Sequence, residues 1–114
     1  IMSKKKKIDP LEVELEQWYR KHIIKLLKEK KNEPMVRSWV FHSIPIAFDL
    51  KGYSLEGIFC SVWKEMIKNE ELVFDHYEVK RSWYGYEDDL IPKYQLCEKL
   101  FDEDLDLGKY DCII

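Results

Sequence analysis

Residues 54–69 read SLEGIFCSVWKEMIKN, and the way this stretch divides into two sides decides the fold. Ser54 suits a helix N-cap, because its short hydroxyl accepts from a backbone N–H of the first turn. Three residues on stands Gly57 rather than the usual Glu. Leu55, Ile58, Phe59, Val62 and Met66 recur at helical spacing, with Trp63 at the margin, and form an apolar face running to about Asn69. The opposite face holds Gly57, Lys64 and Lys68, flanked by Cys60 and Ser61. Glu56 and Glu65 fall nearer the boundary of the apolar stripe. A helix divided in this way turns one side inward and leaves a lightly cationic, uncrowded flank outside.

Working upstream, Asp9-Pro10 with Glu12 reads as a helix start, Asp9 capping and Pro10 taking the first helical position. Leu11, Leu15, Trp18, Tyr19, His22, Ile23 and Leu26 then lie in a stripe about 120° wide. Glu16 and Arg20 stand at i, i+4 in the favourable orientation. The helix is expected to reach about Lys31 and to end before Pro34. Residues 35–42 admit two readings: the spacing of Val36, Trp39 and Val40 would suit a helix, and the β-rich composition suits a short strand, which is the expectation adopted. Ser43 is expected to cap a second helix over 44–51, carrying Ala47, with Gly52 ending it.

Working downstream, Val73, Tyr77, Val79 and Trp83 alternate with Phe74, His76, Glu78, Lys80 and Ser82 and read as a half-buried strand. Residues 85–89 form a turn. Leu90, Tyr94 and Leu96 alternate on the way back, and Pro92 marks an edge strand. Asp102, Glu103, Asp104, Asp106 and Asp111 make the C-terminal residues an acidic, solvated segment. An alternative is that this segment folds over the basic half and weakens binding to nucleic acid.

The chain of 114 residues is long enough for one domain. With 46% hydrophobic residues it can build a core without disulfides, and whole-chain disorder is excluded. The net charge of −3 hides an asymmetry: residues 1–69 hold 14 basic and 9 acidic side chains, residues 70–114 hold 5 and 13. A protein that coats nucleic acid on all sides is excluded by that balance, but one basic face is not. Three cysteines without CxxC spacing point to a reduced, cytoplasmic setting rather than a disulfide framework. No apolar run approaches the length of a membrane span. Ile1 ahead of Met2 reads as a cloning remnant, which sets Lys4 to Lys7 near the natural N-terminus.

The expected order is helix, short strand, helix, turn, helix, hairpin. From about Leu15 to Cys97 it resembles the winged-helix domain, a helix-turn-helix variant with a β-hairpin wing. Ala47 in the second helix, Gly52 in the turn, the Ser54-capped third helix and Lys80-Arg81 in the hairpin carry the resemblance. Ala47 to Gly52 is one residue longer than the compact helix-turn-helix spacing. The resemblance implies an α+β fold: a three-helix core with a small antiparallel hairpin wing, a long first helix and an acidic tail. The expected divisions are a basic arm over 1–8, the domain over 9–97 and the acidic segment over 98–114.

In that family the third helix often enters the major groove. The resemblance therefore implies a DNA-binding protein of regulatory or replication-associated type, taking double-stranded DNA in preference to single strands. Gly57, Ser61, Lys64 and Lys68 would meet the groove, Lys80 and Arg81 the backbone at the wing. Lys4, Lys5, Lys6 and Lys7 would add salt-dependent attraction. Such domains often dimerise, so a homodimer is expected. The wing tip, Glu87-Asp88-Asp89, is acidic where DNA-binding relatives usually carry basic residues. That tip supports the alternative, an adaptor that binds a protein partner on the same scaffold.

Other residues read more plainly. Lys21, Lys25 and Lys28 make a solvated helix face. Trp83, Tyr84 and Tyr86 suit cross-strand pairs, although aromatics beside Lys80 and Arg81 can also stack on bases. His22 is expected in the core. His42 and His76 lack zinc-ligand spacing, and Asp102 to Ile113 fails as a calcium loop, since Ile113 stands where Glu is needed. Neither a catalytic residue nor a cofactor is expected.

Overall fold

A computed structural model describes residues 10–44, 54–80 and 89–108. The order is α1 (Pro10–Glu29), α2 (Arg37–Ser43), α3 (Leu55–Lys68), β1 (Leu72–Lys80), β2 (Asp89–Leu96) and α4 (Glu98–Asp102). The fold is thus mixed α+β, with four helices and a two-stranded antiparallel hairpin among the described residues.

Helix α1 buries Leu15, Tyr19, Ile23 and Leu27, a ladder at i, i+4 that faces α3. Its buried face is wider than the sequence stripe. Ile24 is inside, while Leu11 is 40% exposed. The cause is that α1 is packed from two directions, by α3 on one side and by α4 with β2 on the other. The helix ends without glycine: Lys31 adopts φ 55°, and Asn32 N–H reaches back to Leu27 O at 2.8 Å. Helix α3 ends in the same way, with Glu70 at φ 61° and Glu71 N–H on Met66 O at 2.8 Å.

Two expectations upstream of α3 are corrected. Residues 37–43 are helical, not a strand; only Met35 pairs, in an isolated antiparallel bridge to Tyr94. The β-favouring side chains lose to packing, because helical geometry buries Val40 completely and brings Phe41 to 5.1 Å from Phe59. Ser43 is the last residue of α2 rather than a cap, and Ile44 follows it in an extended conformation. The helix expected over 44–51 therefore does not begin at Ile44, and its remaining residues, with Ala47, and Gly52 lie outside the described residues.

The hairpin also differs from its expected pattern. Leu72 and Leu96 pair at its root and are buried, but every β1 residue after Leu72 is exposed. A β-bulge between Phe74 and His76 adds Asp75 to one strand and reverses the alternation. Phe74, Tyr77 and Val79 therefore share a face with their partners Tyr94, Pro92 and Leu90. Ring contacts fix that face: Phe74 to Tyr77 at 4.8 Å, and Phe74 to Tyr94 at 5.8 Å. His76, Glu78 and Lys80 take the other face, where Lys93 and Glu78 pair at 2.9 Å. Trp83 and the turn residues before Asp89 are outside the described residues.

The C-terminal residues are not a free tail as far as Gly108. Leu100, Phe101 and Leu105 pack against the core. Lys28 Nζ donates to the carbonyls of Phe101 and Glu103, and Lys21 Nζ donates to that of Asp106. The basic stripe on α1 is to that extent covered rather than solvated, and by backbone carbonyls rather than by the acidic side chains.

Candidate functional site

The flank of α3 is built by its cap and its core. Ser54 Oγ accepts from Gly57 N–H at 3.1 Å and starts the helix. Phe59 and Met66 are buried at 0% and 1%, so the remaining side is turned outward. Trp63, marginal on the helical wheel, is only 2% exposed, since Tyr94 closes on it edge to face at 5.9 Å.

Gly57, Ser61, Lys64 and Lys68 are all exposed on the outer side, and Cys60 is half-buried. Gly57 has a local reason to be glycine, because an added Cβ would stand 3.0 Å from Ser54 Oγ. Lys80 is exposed and pairs with Asp89 across the hairpin, on the polar face with Glu78. The Lys93 ammonium, hydrogen-bonded to Glu78, holds that carboxyl below the usual range. Lys4, Lys5, Lys6, Lys7 and Arg81 lie outside the described residues.

Beside this flank runs a groove of about 520 Å³ that the sequence reading missed. Its sides come from the start of α2, from Trp63, Lys64 and Ile67 of α3, and from Leu90, Ile91, Pro92 and Tyr94 of β2. Leu90 and Pro92, on the shared apolar face, extend its wall towards Val79 and Tyr77. Arg37 and Lys64 are its charged members, and among the described residues no carboxylate lines it. Reading residues 35–42 as a strand hid Arg37, since only a helix beginning there sets its first turn against α3.

On the far side of α3, Arg20 makes a two-point contact with Glu71 instead of pairing with Glu16. Glu16 is left near Glu12 and Glu65, and burial together with these carboxylates raises its pKa above the ordinary value. His22 is buried as expected and stacks on Trp18 at 4.1 Å. Among the described residues no group of three His, Cys, Asp or Glu is placed to hold a metal, and no helix is long and apolar enough to cross a membrane. Comparison with family models, curated proteins and solved structures gives no match.

Proposed function

We propose that the chain is a winged-helix module that binds double-stranded DNA through the outer flank of α3, in a regulatory or replication-associated role. The observation that carries this reading is the exposure of Gly57, Ser61, Lys64 and Lys68 together on one side of a helix whose other side is core. Two lysines one turn apart suit phosphates or guanine edges, and the small residues beside them allow a close approach. The order of elements, with Met35 as a one-residue strand between α1 and α2, supports the winged-helix reading. Lys80, Arg81 and the N-terminal lysines would add backbone contacts.

Fluorescence anisotropy with labelled duplex and single-stranded DNA at several salt concentrations tests it. Affinity should favour the duplex and fall steeply as salt rises. Lys64→Glu combined with Lys68→Glu should abolish binding and leave the melting temperature unchanged. Absence of binding at low salt would remove the DNA reading.

One observation favours a second reading, a protein-interaction module. Phe74, Tyr77, Val79 and Leu90 stand 44–61% exposed on one face of the hairpin, a contiguous apolar surface of the kind that marks protein contacts.

A further inference from the structure

We infer that the groove between α2, α3 and β2 is a docking site for a short peptide segment of a partner protein, in which bulky apolar residues alternate with carboxylates. The inference rests on the protein-interaction reading, and Lys64 is the one residue it shares with the DNA-binding flank. It specifies which part of the surface engages the partner and what the partner carries.

Shape and charge both point to that occupant. The groove has room, about 520 Å³, for a few side chains of an extended segment. Its apolar wall is Ile67 on one side and Leu90 with Pro92 on the other. Beyond Leu90 the wall continues along the hairpin through Val79 and Tyr77, which are 54% and 56% exposed. A segment lying along this path would find apolar footholds at successive positions.

The charge is one-sided. Arg37 and Lys64 are exposed at the groove, and among the described residues no ion pair or hydrogen bond engages either side chain. With no carboxylate among the described lining residues, an incoming Asp or Glu would supply them a counter-charge, and a basic segment would be repelled. Arg37 offers a planar fork suited to two-point carboxylate binding, on the first turn of α2.

A nucleic acid is also anionic, but the lining suits it less well. Bases need exposed aromatic faces to stack on. Of the aromatic rings along the path, Trp63 is 2% exposed, Tyr94 is half-buried between Trp63 and Phe74, and Tyr77 is held against Phe74 at 4.8 Å, while Val36, Ile67, Leu90, Ile91 and Pro92 of the groove itself are aliphatic. Aliphatic walls with two isolated cations match apolar side chains and carboxylates better than bases and a phosphate chain.

The test is selection of a displayed library of random short peptides on the intact chain, followed by titration of the selected labelled peptides. The expected sequences combine Leu, Ile, Phe or Trp with Asp or Glu. Their affinity should fall about tenfold with Arg37→Glu and about tenfold with Leu90→Asp. Both positions are exposed, so circular dichroism and the melting temperature should be unchanged. Lys68→Glu, which lowers DNA affinity on the reading above, should leave peptide binding intact. Selected peptides that depend on Leu90 yet carry no acidic residues would overturn the stated partner chemistry and leave the interaction reading standing. Selection of no peptide sensitive to Arg37 or Leu90 would overturn both. Binding of a labelled DNA single strand that is lost with Leu90→Asp would assign the groove to nucleic acid and overturn the proposal.

Discussion

Asn32 and Leu96 are joined at two points: Asn32 Nδ2 donates to Leu96 O at 3.0 Å, and Leu96 N–H donates to Asn32 Oδ1 at 2.7 Å. The side-chain amide thus does for β2 what a neighbouring strand would do, and it ties the end of α1 to the root of the hairpin. Asn32 itself sits at φ 57°, a region that Asn tolerates better than most residues. Asn32→Gly keeps the backbone and removes both bonds, so urea unfolding should show a loss of about 1–3 kcal/mol. Asn32→Ala should lose about 1 kcal/mol more, because its Cβ meets the left-handed penalty. A glycine variant as stable as the parent would show that the two bonds contribute nothing net.

Glu70 closes α3 at φ 61° where glycine is the usual occupant. Its side chain is exposed, so little is lost by removing it. Glu70→Gly should raise stability by about 0.5–1 kcal/mol, the relief of the Cβ penalty exceeding the added freedom of the unfolded chain. Thermal unfolding of the variant against the parent measures the sign.

Arg20 and Glu71 link α1 to the turn after α3, with side chains 31% and 19% exposed. A double-mutant cycle with Arg20→Met and Glu71→Gln should give a coupling of about 1 kcal/mol, larger than for most surface pairs because both ends are partly buried. The coupling should shrink in high salt. An additive cycle would mean that the contact is compensated by solvent.

Tyr19 is 1% exposed, and burial pushes its phenol up from the ordinary 10.0 to about 12. The folded value exceeds the unfolded one, so its contribution is complete below pH about 10. It is lost as pH climbs from about 10 towards about 12, where the unfolded chain alone gains the phenolate. Tyr19→Phe cannot ionise, and its stability should decline less over that interval. Parallel alkaline curves for parent and variant would count against a buried phenol.

Lys28 holds the C-terminal segment by donating to two backbone carbonyls, Phe101 O at 2.9 Å and Glu103 O. Lys28→Met keeps the alkyl stem and removes the donors. Amide hydrogen exchange in residues 98–106 should speed up, reflecting a loss of about 1 kcal/mol of local stability. Exchange in α3 should be unaffected.

Local pattern made some of this readable in advance and left other parts hidden. Helix α3 was legible from Ser54 to Asn69, because a side-chain cap and an apolar stripe are both encoded within a few residues. The exposure of Lys64 and Lys68 followed from the same wheel. The groove was not legible. Arg37 reaches it only because a helix there buries Val40 and sets Phe41 against Tyr19 and Phe59, partners far away in the chain. The hairpin's apolar face depends on one bulged residue, Asp75, which slips the alternation after Phe74. Period-two reading cannot place such a slip without the partner strand.

The sequence by itself determined α1, α3, the return of the chain through a hairpin, and the outward flank with Lys64 and Lys68. Each is set by contacts between residues a turn apart or by alternation along one strand. The tertiary structure alone decided that residues 37–43 coil, that Phe74 joins Tyr77 and Val79, and that residues 98–108 lie across Lys21 and Lys28. Those outcomes turn on burial against residues far away in the chain, and the free energy of such burial exceeds the small local preferences that sequence pattern records.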